Sequence, residues 1–161
     1  MLKLVLNSCI AKNILKILHK SLHPIKFQVT LNEEQKAAKA VILESKITVL
    51  KGGAGSGKSM VAAQVALDLL FTHQVERIIL TRPAVTSGEE LGFMPGDKDA
   101  KLAPYTAAIY DNMYRLYSKD KIDKEIADGR IEVIPVAFMR GRNLSNCCVV
   151  VDEGQNISHK Q

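Results

Sequence analysis

The sequence predicts an α/β fold with a mostly parallel sheet and helices on both faces, on two observations. Short apolar runs alternate with longer segments of helical periodicity. The runs KITVLK (46–51), RIILTR (77–82), IEVIPV (131–136) and CCVVVD (147–152) are near-continuously apolar, as strands covered on both faces are. Strands separated by helices imply right-handed crossovers and so a parallel arrangement.

The elements follow in order. Residues 1–30 read as an N-terminal amphipathic helix and linker. Ile10, Ile14, Ile17 and Leu18 recur at helical spacing, Lys12, Lys16 and Lys20 lie elsewhere on the turn, and Pro24 ends the pattern. The segment superficially resembles a signal peptide, but Asn7, Ser8 and Lys12 interrupt its apolar stretch and no small-residue cleavage site follows. Packing on the domain or on a sister subunit is the expectation, with membrane-surface contact as the alternative. A helix is expected over 32–45, opened by Asn32 as N-cap with Gln35 three residues on. The first strand and a helix over 57–72 come next, then the second strand. A long polar loop (83–103) carries Gly88, Gly92, Pro95 and Gly96. Pro104 opens a helix to 117, a short helix covers 119–128, and Gly129 caps it before the third and fourth strands. Residues 31–161 form the main domain in this reading.

Composition narrows the class. The chain has 161 residues, of which 47% are hydrophobic and 24% charged, which suits one soluble globular domain. No apolar run approaches the length of a membrane helix, so stable membrane insertion is not expected. Twenty-two basic against 17 acidic residues give a net charge of +5, a mild bias that permits a polyanionic partner without establishing one. Cys9, Cys147 and Cys148 make neither a disulfide framework nor a metal cluster, and suit a reducing cytoplasm. Cys147 and Cys148, adjacent on a strand, would point to opposite faces. The four histidines are scattered, with His73 expected at a helix C-terminus.

The chemistry concentrates at 52–59. Gly52, Gly53, Ala54, Gly55, Ser56, Gly57, Lys58 and Ser59 spell GxxxxGK[ST] between an apolar strand and an apolar helix. Glycines let the backbone curl its N–H groups into an anion nest, and the helix turns its positive end to the same point. Lys58 would meet the β- and γ-phosphates, and Ser59 would ligate Mg²⁺. The fourth strand ends in Asp152-Glu153. Asp152 would hold Mg²⁺ through its water shell, and Glu153 stands where a base could polarise the attacking water. Gln35 has two readings: its amide reads the adenine edge, or it only completes the capping box. No guanine-type NKxD signature occurs, which favours ATP over GTP.

These residues together resemble the PhoH family of P-loop ATPases, related to the ATP-binding core of superfamily 1 helicases. The likeness is carried by GGAGSGKS (52–59), TRPAVTSGEELGFMPGD (81–97), PYTAAIYD (104–111), GRIEVIPVAFMRGRNL (129–144) and VVVDEGQN (149–156). It implies a RecA-like P-loop NTPase fold, an ATPase with an RNA-related role, and ring-like homo-oligomers. The family usually shows DEAQN where this chain has Gly154 after the acidic pair, a departure that lowers helix propensity. Arg82, Arg140 and Arg142 are the candidate contacts to single-stranded RNA, with structural ion pairs or a neighbouring subunit's γ-phosphate as alternatives. Tyr110, Tyr114 and Tyr117 follow helical spacing and read as packing residues.

The sequence ends nine residues after Asp152. In ATPases of this broad class a later strand inserts between the phosphate-loop strand and the Asp152 strand. Its absence would leave two unpaired edges beside the site, so the expectation is the N-terminal portion of a larger ATPase. Two functions stay open: an ATPase coupled to RNA, or a module that binds ATP–Mg²⁺ without independent turnover. A small-molecule kinase is disfavoured, because no lid or substrate-binding arginine set is recognisable.

Overall fold

The computed structural model describes residues 2–6, 25–83, 107 and 109–157. Five strands form one sheet: β1 (Leu2–Leu6), β2 (Ile47–Leu50), β3 (Arg77–Thr81), β4 (Ile131–Val133) and β5 (Cys147–Val151). Their spatial order is β2-β1-β5-β3-β4. Strand β3 pairs in parallel with both β4 and β5. Strand β1 runs antiparallel to both of its neighbours, so β2 and β5 point the same way as each other. The α/β class read from the sequence is present, with a parallel three-strand block β5-β3-β4 and two antiparallel pairings through β1.

Strand β1 corrects two expectations. Residues 2–6, expected to open an amphipathic helix, are extended and belong to the sheet. The helical positions Ile10, Ile14, Ile17 and Leu18 lie outside the described residues. The slot between the phosphate-loop strand and the Asp152 strand, expected to leave bare edges, is filled by β1. Its register sets Leu4 opposite Thr48 of β2 and Val150 of β5. An unpaired buried edge leaves several N–H and C=O groups unmet. A five-residue extended segment satisfies both edges at once, and a local helix cannot.

Helix α1 (Glu33–Glu44) starts as its cap dictates. Asn32 Oδ1 accepts from Gln35 N at 2.8 Å, and Asn32 N donates to Gln35 Oε1 at 3.1 Å. Glu33 and Glu34 in the first turn suit the helix dipole. Helix α2 (Lys58–Phe71) carries apolar side chains almost all round, and Val61–Leu67, Leu69 and Leu70 are all buried. Such a helix belongs inside, and it packs against the sheet beside the site. His73 follows its end with φ +57°, where a left-handed residue stops a helix. Residues 109–116 are helical and form α3, and α4 spans Lys119–Ala127. Gly129, at φ +68°, makes the turn into β4.

Strand alternation splits the core in two. Ile78, Leu80, Cys148 and Val150 face the large cluster with Val65, Leu67, Met113 and Leu116. Ile79, Cys147, Val149 and Val151 face a smaller cluster with Ile134. The two adjacent thiols therefore do part to opposite faces. Burial pushes the Cys148 thiol up to about 12, which suits an inert core residue. Tyr110, Tyr114 and Tyr117 pack on the large cluster; Tyr117 lies 4.8 Å from Phe71 between ring centroids, and the Tyr114 hydroxyl donates to Asp123 at 2.6 Å. Strand β4 stops at Val133, three residues short of the sequence reading. Pro135 has no N–H for a ladder, and a 3₁₀ turn follows at Val136–Phe138. Most of the polar loop, residues 84–103, and Tyr105 lie outside the described residues.

Candidate nucleotide site

Strand β2 ends at Leu50, and α2 begins at Lys58. Between them the backbone reverses through Gly55 at φ +75° and Gly57 at φ +83°. Gly57 is doubly constrained. Its left-handed backbone is strained for an L side chain, and a Cβ there would stand 2.7 Å from Gln35 Nε2. Residues 52–56 of the loop are exposed. The Lys58 ammonium folds over that loop, 2.6 Å from Gly53 O, 3.0 Å from Gly52 O and 3.3 Å from Ser56 Oγ.

Gln35 serves the loop and the cap together. Its Oε1 closes the capping box, and its Nε2 donates to Ser56 O at 3.2 Å.

The second half of the site meets the first at Ser59, whose Oγ donates to Asp152 Oδ1 at 3.0 Å across 93 residues of sequence. Backbone pairing sets this meeting: Thr81 stands opposite Val151, and Asp152 N donates to Thr81 O at 2.8 Å. Ser59, Thr81, Asn112 and Asp152 line one small cleft. The Thr81 hydroxyl is buried there with no hydrogen-bond partner among the described residues. Sequence reasoning passed over Thr81; its place at the end of a strand beside the acidic pair was the available signal.

This donor set fits Mg²⁺. The Ser59 hydroxyl and the Asp152 carboxylate meet at 3.0 Å, so one ion could take the hydroxyl directly and the carboxylate through a bound water. Mg²⁺ takes few protein ligands and keeps waters and phosphate oxygens, which agrees with a site of two side chains and one unsatisfied hydroxyl. Among the described residues no group of three or more His, Cys, Asp or Glu is placed to hold a metal.

Glu153 sits just past the strand at φ +51°. Both of its carboxylate oxygens are engaged: Arg82 Nη2 lies 3.5 Å from Oε1, and Gln155 Nε2 donates to Oε2. The three candidate arginines do not share one partner. Arg142 is held 3.0 Å from Glu132 of β4, and Arg140 is exposed in the same turn. Phe138, 58% exposed, stands two residues from Arg140; sequence reasoning missed it, although an aromatic beside Arg-Gly-Arg was visible.

A family model described as "PhoH-like protein" matches residues 29–161. The chain belongs to the PhoH family. A PhoH-like protein of Synechocystis sp. is 45% identical over 115 residues, covering 71% of this chain and 35% of the relative. A PhoH-like protein of Mycobacterium tuberculosis is 47% identical over 110 residues, 68% of this chain and 31% of the relative. Protein PhoH of Escherichia coli K12 is 37% identical over 134 residues, 81% of this chain and 37% of the relative. The chain spans about a third of the length of these curated PhoH relatives. The PhoH family is one of P-loop ATPases, so this chain falls in the P-loop class. The PhoH match spans Gln35, the phosphate loop, Asp152 and Glu153, and leaves β1 outside. No described helix is long and apolar enough to cross a membrane.

Proposed function

We propose that this chain binds ATP with Mg²⁺ and hydrolyses it, with single-stranded RNA as the partner of the reaction. One observation carries the reading: Ser59 Oγ and Asp152 Oδ1 meet at 3.0 Å at the mouth of a glycine-lined loop, where a helix begins. The backbone N–H groups of residues 52–59 and the start of α2 take the phosphates. Lys58 leaves the carbonyls of Gly52 and Gly53 for the β- and γ-phosphate oxygens, which are stronger acceptors. Ser59 would hold Mg²⁺ directly and Asp152 through its water shell. Bound Mg²⁺ neutralises charge on the phosphate oxygens. Glu153 takes the proton of the attacking water.

The alternative, a module that holds ATP without turning it over alone, is favoured by the two occupied oxygens of Glu153. Phosphate release from Mg·ATP separates them. Wild type is expected to release phosphate, and Glu153→Gln to bind ATP normally while losing turnover by about 10²-fold or more. A Glu153→Gln variant as fast as wild type would remove Glu153 from the chemistry.

RNA contact is supported by the exposed turn of Phe138, Arg140 and Arg142. An aromatic face beside planar cations suits unpaired bases and their phosphates. Phe138→Ala is expected to weaken binding of a fluorescent oligo(U) by about 1–3 kcal/mol, with the melting temperature unchanged because the ring is mostly exposed. Equal affinity in fluorescence anisotropy would exclude the ring as a stacking platform.

A further inference from the structure

We propose that Arg82 is a positioning residue that parks Glu153, and that the phosphodiester backbone of single-stranded RNA releases Glu153 by taking Arg82. The inference rests on reading Glu153 as the base. It adds a route by which RNA reaches the ATP site.

Three observations carry it. A base must aim an oxygen lone pair at the attacking water, and both Glu153 oxygens are turned to other partners instead, Oε1 toward Arg82 and Oε2 toward Gln155. The backbone of Glu153 is left-handed at φ +51°, a conformation that a non-glycine residue holds only where its surroundings impose it. The pair is also exchangeable. Arg82 is 35% and Glu153 37% exposed, and their contact is 3.5 Å, so the pair is weak in water. A phosphodiester offers the same guanidinium two non-bridging oxygens that share an equal charge and can accept in bidentate fashion. The parallel register places the competition here. Thr81 and Val151 are opposite partners, so the residues just beyond them, Arg82 and Asp152-Glu153, emerge side by side. The same strand end bears Thr81, which lines the cleft with Ser59 and Asp152. An RNA strand crossing the end of β3 thereby acts on the carboxylate without touching ATP.

Linkage makes the proposal testable apart from turnover, because two ligands of one guanidinium must compete reciprocally. Oligo(U) affinity is measured by anisotropy at fixed low salt for the full chain and for Glu153→Gln, Arg82→Ala and the double variant. Removing the competing charge is expected to tighten RNA binding about two- to five-fold in Glu153→Gln, the range that a partly exposed ion pair supports. Arg82→Ala is expected to weaken binding, and Glu153→Gln added to it to change nothing further. In phosphate release, Arg82→Ala is expected to raise basal kcat and lose RNA stimulation, with KM for ATP unchanged, while Arg82→Lys keeps both behaviours in part. Unchanged RNA affinity in Glu153→Gln, or the same gain with and without Arg82, overturns the coupling. A fully active Glu153→Gln instead overturns the base reading beneath it, so the two failures are distinct.

Discussion

Lys58→Ala is expected to abolish nucleotide binding while leaving the fold intact. The ammonium rests on Gly52 O, Gly53 O and Ser56 Oγ, all in exposed residues of the loop. Water replaces it there at little expense, so stability should change by less than about 1 kcal/mol. The binding effect is much larger. Each charge-assisted hydrogen bond to a phosphate oxygen contributes about 1.5–3 kcal/mol, and two of them amount to a loss of affinity on the order of 10²-fold or more. Titration with a fluorescent ATP analogue, paired with thermal melting, checks both halves. Wild-type affinity in a folded Lys58→Ala chain would refute the phosphate-loop assignment. Unfolding of the variant would instead show that the loop carbonyls depend on the cation.

Leu4→Pro is expected to destabilise the chain by on the order of 3 kcal/mol and to weaken nucleotide binding with it. The reason lies in the backbone. Leu4 stands in the middle of β1, with Thr48 opposite on one side and Val150 on the other. In a strand paired on both sides every N–H meets one neighbour, and proline removes that donor and crowds the ladder. The strand separates β2, which feeds the phosphate loop, from β5, which ends at Asp152. Disordering it should let the 3.0 Å contact of Ser59 and Asp152 open. Leu2→Pro, at the first residue of the strand, is the milder control. Chemical denaturation and the same nucleotide titration read the result. Equal midpoints and equal affinities for Leu4→Pro and wild type would show that residues 2–6 do not fill the slot.

Features written in consecutive residues were legible. The capping box needs only Asn32 and Gln35 at their spacing, and it formed as read. The loop from Gly52 to Ser59 turns between strand and helix because glycine angles and a following apolar helix are local properties. Strands β3 and β5 were readable from their apolar runs, because burial on both faces leaves no polar alternation to confuse; β2 was readable from its β-branched run, although Ile47 and Val49 are exposed. MLKLVL was misread, since a short apolar run is ambiguous in period and the lysine spacing after it favoured a helix. Gln35 was half-read: the sequence offered cap or base edge, and the folded chain adds a contact to Ser56 O that neither reading contained.

Local sequence by itself determined the class of fold, the glycine-rich turn between β2 and α2 and the place of the acidic pair after β5, because each rests on residue types at short, fixed spacing. Tertiary structure alone decided what stands beside what. Pairing of β3 with β5 set Arg82 against Glu153 and Thr81 beside Asp152, and insertion of β1 filled the gap between the two halves of the site. Those neighbours are chosen by backbone hydrogen bonds between segments far apart in the chain, and an unpaired edge accepts any extended segment that reaches it.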